Sequence, residues 1–357
     1  MSSIPEPPRW PLPRVRYFVL VLAVLLVAWV TILVVREVRR HNILIAQRPR
    51  IDVYTGSALP EFIAKKLPEE WKKKWLVSAW KVEIFVDEET DAGADYQQAL
   101  NFPEISELQL GGTTISAEAV NHAGRLKNLA AIEIWGEKIS GGWEGLTDLK
   151  RLKSLTIRAD AVEMRGVSKL PYLEELDFTG QTLTDPQLEE VSNCPSLRRL
   201  SLHFDERITG SLARLEKAAN LRELMIYTPD GSVTLDLGTL HQLTGLTLRF
   251  EGAEVIDKYM LALLSLKNLN RLDVRFSHLD ESLRRLDELP RLEVLHLNGG
   301  RIPKLAFLSL AKVHRLKWLM VRCGIPNPGG QPLTPLQRQT LADKLSKCHD
   351  KVDIQFH

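Results

Sequence analysis

The side chains able to carry chemistry are few and scattered. Nine histidines and three cysteines are spread over 357 residues. Cys194, Cys323 and Cys348 form no C-x-x-C pair, and an odd number cannot all pair within one chain. A disulfide framework and a thiolate metal site therefore lack their ligands, and the expected role of these thiols is to fill the core. The chain contains no H-E-x-x-H, no G-x-S-x-G, no G-x-x-x-x-G-K-[ST], and no G-x-G-x-x-G after a strand, so the motif-borne hydrolytic and nucleotide chemistries have no footing. His203 and His296 fall on outward strand positions about 19 Å apart at ~4.8 Å per strand, too far to share a metal. Asp273 and His296 occupy equivalent positions on neighbouring strands; such a pair can act as a general base, but an exposed cross-strand contact is the simpler expectation. The glycine pairs Gly141–Gly142, Gly299–Gly300 and Gly329–Gly330 fall at expected turns, where backbone freedom accounts for them. No catalytic, cofactor-binding or metal-binding residue is expected, nor any small-molecule substrate.

The elements that position these residues come from one recurring phrase, apolar-x-x-apolar-x-apolar. It reads Ile105–Leu108–Leu110, Leu129–Ile132–Ile134, Leu152–Leu155–Ile157, Leu173–Leu176–Phe178 and Leu197–Leu200–Leu202. It continues as Leu221–Leu224–Ile226, Leu243–Leu246–Leu248, Leu269–Leu272–Val274, Leu292–Leu295–Leu297 and Leu316–Leu319–Val321. Successive starts lie 24, 23, 21, 24, 24, 22, 26, 23 and 24 residues apart. The last two apolar positions are two residues apart and so share one side of a short strand. The rest of each unit must return to start the next parallel strand; Asp185 followed by Pro186 reads as one helical return, with Asp185 as N-cap. One unit cannot bury both its strand and its return, whereas stacked units bury both.

In phrase and period the chain resembles leucine-rich-repeat proteins, and with its N-terminal apolar segment it resembles the bacterial members that carry a single anchor. The resemblance implies an α/β solenoid of about ten repeats over residues 79–325, a horseshoe with a parallel sheet on its concave face. In that family Asn, Thr or Cys usually follows three residues after the last apolar position, then another apolar residue. Thr113 with Ile115, Gln181 with Leu183 and Ser277 with Leu279 approximate this, whereas Glu137, Asp160, Asp205, Pro229, Glu251, Gly300 and Gly324 depart from it. A continuous asparagine ladder is absent from that position.

From Tyr17 to Val35 the sequence carries no charge. Nineteen residues at ~1.5 Å each make about 28 Å of helix, close to the hydrocarbon thickness of a bilayer. No small-residue cleavage site follows, since the chain runs directly into Arg36, Glu37, Val38, Arg39 and Arg40. Residues 17–35 are read as a retained transmembrane helix with the lipid bilayer as partner, after an N-terminal tail of residues 1–16. Arginines flank both ends, so the positive-inside rule leaves the side of the repeat domain open. Residues 36–78 form the juxtamembrane segment and N-terminal cap, with a short extended piece from Ile51 and a helix from Pro60, and a strand follows from Val82. Lys72, Lys73 and Lys74 either touch anionic lipid or lie on a solvated cap face. Residues 326–357 make a C-terminal cap: PNPGGQP breaks the pattern, Thr334 caps a helix with Gln337 completing a capping box, and a final strand reads VDIQF.

The phrase also states which residues face outward on the sheet. The charged ones in the first four repeats are mainly acidic, Glu107, Glu133, Glu175 and Asp177 against Arg158. The later ones lean basic, Arg199, Arg249, Arg271, Arg275 and Arg322 against Glu223 and Asp273. Trp135, His203, Tyr227 and Trp318 share the face with Met225 and Met320. Arginines and large aromatics are enriched at protein–protein hot spots, so the binding face is assigned to Trp135, Arg158, His203, Tyr227, Arg249, Arg271, Arg275, Trp318 and Arg322. A net charge of +2 gives no global pull toward nucleic acid. The expected function is a noncatalytic, membrane-tethered scaffold for a protein or peptide; the alternatives are a structural cell-envelope component contacting surface polymers, and a solvated sheet with no partner.

Overall fold

The computed structural model describes residues 12–47, 51–57, 77–86, 104–208, 211–228, 236–250, 256–278, 281–324, 334–346 and 351–356. It divides into two units, Met1–Val82 and Glu83–His357. The first holds a helix over Leu12–Gln47, the strand β1 (Ile51–Ser57) and the start of β2 (Val77–Phe85). Large apolar side chains between Val19 and Val35 stand exposed on that helix, Leu26 at 61% and Trp29 at 60%. Thr31 turns its hydroxyl back to donate to the Val27 carbonyl, 2.7 Å away. Among the described residues no helix is long and apolar enough to cross a membrane, so the expected transmembrane crossing by residues 17–35 has no support there. The helix expected from Pro60, Lys72–Lys74, PNPGGQP and Cys348 lie outside the described residues.

The second unit is a stack of short strands. They are β3 (Glu107–Gly111), β4 (Thr114–Ile115), β5 (Ala131–Ile139), β6 (Ser154–Val162), β7 (Glu175–Leu183) and β8 (Arg199–Ile208). They continue as β9 (Glu223–Thr228), β10 (Gly245–Phe250), β11 (Arg271–His278), β12 (Val294–Arg301), β13 (Trp318–Gly324) and β14 (Lys351–Phe356). From β3 onward each strand pairs in parallel with the next along the chain, except that β3 pairs β5 and the two-residue β4 lies off this path, also paired to β5. The register is the one the phrase requires. Leu108, Ile132, Leu155, Leu176, Leu200, Leu224, Leu246, Leu272, Leu295 and Leu319 form one inward column. The third apolar position forms a second, and all thirty apolar residues of the ten phrases are at most 2% exposed. Truncating one such side chain costs about 2–5 kcal/mol through lost burial and a cavity.

The return segments follow the length available to them. The 26-residue repeat that begins at Leu243 returns through the ten-residue α-helix Ile256–Ser265. The 21-residue repeat that begins at Leu152 has only the 3-10 turn Val167–Lys169. A 3-10 turn rises about 2.0 Å per residue against 1.5 Å in an α-helix, so fewer residues span the same distance.

One expected cap shifts by a residue. The N-cap of Asp185–Ser192 is Thr184, whose backbone N–H donates to Gln187 Oε1 at 2.9 Å, and Pro186 sits one place further into the helix. Asp185 is thereby freed to reach the next repeat. At Pro335–Ser346 the expected capping box is present: Thr334 N–H donates to Gln337 Oε1 at 2.9 Å, and Gln337 N–H to Thr334 Oγ1 at 3.4 Å. Gly141, Gly142 and Gly299 have φ of 86°, 90° and 125°, the left-handed region for which glycine is the default residue. Cys194 and Cys323 are buried free thiols, their pKa values pushed up to about 12 by burial.

Candidate binding face

The outward side of the sheet resolves into three columns with different chemistry. The first, at the residue before the second apolar position, runs Glu107, Ala131, Ser154, Glu175, Arg199, Glu223, Gly245, Arg271, Val294, Trp318, Lys351. The second lies between the last two apolar positions and includes Glu133, Asp177, Asp273 and Asp353 with no arginine or lysine. The third follows the last apolar position: Gly111, Trp135, Arg158, Thr179, His203, Tyr227, Arg249, Arg275, Asn298, Arg322, Gln355. It holds four arginines and no carboxylate. The expected acid-to-base drift along the array thus has a second component, an acidic column beside a basic and aromatic one.

Most of the early charges are already engaged with one another. Arg158 Nη1 lies 3.0 Å from Glu133 Oε1. Arg199 bridges Glu175 at 2.6 Å and Glu223 at 2.9 Å, and the hydrogen bond it donates to Glu223 raises its pKa. Such half-exposed pairs are worth about 0–1 kcal/mol each, but they leave little charge for a ligand. Trp135 is also committed. Its ring packs edge-on against Phe85, centroids 5.6 Å apart, and covers Gly111, where an added Cβ would lie 2.1 Å from the indole. Gly111 is therefore the residue that lets this ring lie flat.

His203 stacks on Tyr227, centroids 5.8 Å apart, with its Nε2 3.8 Å from Asp177 Oδ1. His296 repeats the pattern: Asp273 Oδ2 is 3.4 Å away on the preceding strand, and Trp318 meets the imidazole edge-on at 5.1 Å on the following one. The expected contact between Asp273 and His296 is real, but it is not the exposed pair anticipated. Their side chains are 19% and 12% exposed, and His296 Nε2 is buried with no hydrogen-bond partner among the described residues. A nitrogen closed off from solvent has no path to a substrate, which weighs against a base role.

The remaining assigned residues gather at one end of the array. Arg249 and Arg275 are exposed and directly opposite each other on β10 and β11, and Arg271 is exposed in the first column of β11. Arg322 is half-buried on β13 with its Nε enclosed and unbonded among the described residues. Among the described residues none of these four arginines has an ion-pair partner, in contrast to Arg158, Arg199, Arg214 and Arg285. The sequence reading missed Asn298, which lies between Arg275 and Arg322 in the same column; its equivalence shows only once strand register is fixed. No group of three or more potential metal ligands occurs among the described residues.

Several solved structures are similar to this chain. An internalin (InlF) of Listeria monocytogenes is 15% identical over 83% of this chain and 93% of its own, with a TM-score of 0.35. The mouse RP105/MD-1 complex gives 16% identity over 77% of this chain and 50% of that one, with a TM-score of 0.46. A leucine-rich-repeat protein of Leptospira interrogans gives 14% identity over 72% and 92%, with a TM-score of 0.30. No curated protein matches the sequence. Residues 94–333 match the model of the leucine-rich repeat region, and with two thirds of its length inside that match the chain belongs to the leucine-rich-repeat family.

Proposed function

We propose that the chain is a noncatalytic scaffold, held at a membrane by its N-terminal helix, that binds a protein or peptide through the open face of its sheet. The observation that carries this reading is the third outward column. Eleven in-register positions hold four arginines, a tryptophan, a tyrosine and a histidine with no acidic residue. A merely solvated sheet would gain nothing from Arg249 set opposite Arg275, since like charges across a strand pair are destabilising. The membrane part rests on the uncharged run from Tyr17 to Val35 and on the exposed apolar side chains there. Each costs about 1.5–3 kcal/mol to leave in water. Thr31 satisfying its hydroxyl within its own helix suits a medium with no water to bond.

The test is photo-crosslinking in cells of the source organism, with a photoreactive amino acid in place of Tyr227, Arg249 or, as control, Lys312. Lys312 is the exposed end of the 3-10 turn Leu310–Lys312 on the return side. A discrete adduct from the first two positions and none from the third is expected. Adducts only from Lys312 would place binding elsewhere. Resistance of the full chain to alkaline carbonate extraction, lost on deletion of residues 1–47, tests the tether.

A further inference from the structure

We propose that the ligand of this face is an extended acidic peptide segment, which crosses strands β10–β13 along Arg249, Arg275, Asn298 and Arg322 and places carboxylates three residues apart against Arg275 and Arg322. The inference rests on the binding role just proposed and names the chemistry of the partner.

Three observations converge on it. First, Arg158 and Arg199 on the earlier strands are paired with carboxylates, yet this column carries three arginines over four adjacent strands with no ion-pair partner among the described residues. Arg249 and Arg275 are Cα partners with no carboxylate between them. Second, Arg322 is half-buried on β13 and has no ion-pair partner among the described residues. A charged group partly withdrawn from water and left unneutralised favours an arriving carboxylate, and guanidinium forks match carboxylates in bidentate fashion. Third, Asn298 between them offers an amide that donates and accepts, and it suits a peptide backbone better than a third anion. The flanking Tyr227, Met320 and Trp318 add apolar contact area on the same face.

The spacing selects the ligand's conformation. Neighbouring strands lie about 4.8 Å apart, so Arg275 and Arg322, two strands apart, are separated by about 10 Å. A polyproline II chain advances ~3.1 Å per residue, about 9.3 Å for three. Carboxylates at i and i+3 on such a segment meet both guanidiniums. The neighbouring column limits the alternatives. Asp273, held by His296 at 3.4 Å, and Asp353, half-buried on β14 beside Met320, lie alongside the arginines and would repel a continuous polyanion. A segment with isolated carboxylates on one edge avoids them.

Fluorescence anisotropy on the full-length chain in nonionic detergent tests this, with a fluorescein-labelled Glu-Pro-Pro repeat peptide as probe. The Gln-Pro-Pro counterpart and a thymidine oligonucleotide of equal length serve as competitors. The acidic peptide is expected to bind, to weaken at least tenfold with Arg275→Glu or Arg322→Gln, and to change less than twofold with Arg285→Glu. Arg285 lies on the return side, paired with Glu288, so that variant matches Arg275→Glu in charge while leaving the column intact. Equal loss with Arg285→Glu, equal binding of the glutamine peptide, or tighter binding of the oligonucleotide would each overturn the inference. Unchanged thermal melting of the variants separates loss of binding from loss of fold. Crosslinks from Tyr227 that persist in Arg275→Glu would refute the acidic ligand while leaving the scaffold reading intact; absence of crosslinks from the face would remove both.

Discussion

Asp185 shows how single charges tie one repeat to the next. Its carboxylate accepts the Ser211 backbone N–H at 2.8 Å and pairs with Arg214 at 2.9 Å, both in the following return segment. Glu189, one turn along the same helix, pairs with Lys217 at 2.7 Å and Arg214 at 3.3 Å. The hydrogen bond from Arg214 is the main cause that holds Asp185 down at about 2 against an ordinary 3.8, followed by that from Ser211. A carboxylate depressed in the folded state stabilises the fold above its unfolded pKa and loses that contribution as pH falls through the folded one. The contribution is therefore complete above about pH 4 and lost between about pH 4 and 2. Thermal melting from pH 5 to 2 should show the wild type losing stability faster than Asp185→Asn across that window, the two converging near pH 2. Parallel curves would show that Asp185 contributes nothing to the coupling between repeats. The group is fully exposed, so 1 M salt should shrink the difference.

At the scale of the element, the sequence made the strands legible because two apolar residues per phrase repeat at fixed spacing, and those strands all formed where expected. It missed the ladder that joins the turns, having looked for it three residues past the strand, where the family usually keeps its asparagines. Here a ladder sits at the opposite end, on the residue just before five of the ten phrases. Ser196 Oγ donates to the Pro171 carbonyl at 2.7 Å, Asn220 Nδ2 to Pro195 at 2.7 Å, and Asn268 Nδ2 to His241 at 2.8 Å. Gln242 reaches Leu215 at 3.0 Å, and Arg315 donates to the Pro290 carbonyl. No periodic residue type marks this position, because serine, asparagine, glutamine and arginine all reach a carbonyl one repeat back; only the donor is shared. The pairing of Arg158 and Arg199 was hidden for a similar reason, since it depends on register between strands and not on spacing along the chain. Asn268 is the best probe, for its Oδ1 also accepts from Arg291 at 2.8 Å. Asn268→Ala should lower stability by about 1 kcal/mol, within the ~0.5–1.5 kcal/mol typical of a net hydrogen bond. A double-mutant cycle with Arg291→Ala should be non-additive; a midpoint in urea unmoved by Asn268→Ala would remove the ladder from the account.

At the scale of the whole repeat unit, the core is a line and not a ball, which makes stability depend on position along the stack. Each inward side chain packs on the repeats before and after it, so the energy is close to a sum of nearest-neighbour terms. Leu224 on β9 is 1% exposed, enclosed between Leu200 and Leu246. Val352 on β14 occupies the equivalent column beyond Leu319, yet it is half-exposed, as is Ile354. The same column therefore predicts unequal costs. Leu224→Ala should cost about 2–5 kcal/mol, the range for a buried leucine whose cavity cannot fully close. Val352→Ala should cost about 1 kcal/mol or less, because solvent already reaches the site and little area is lost. The two differ in kind as well as size. A defect at Leu224 interrupts the array in its middle, so amide exchange should accelerate in β8 and β10 together. A defect at Val352 should accelerate exchange in β13 and β14 while leaving β5–β9 protected. Uniform acceleration along every strand after Val352→Ala would mean that the stack unfolds as one cooperative body and that the nearest-neighbour description is wrong for it.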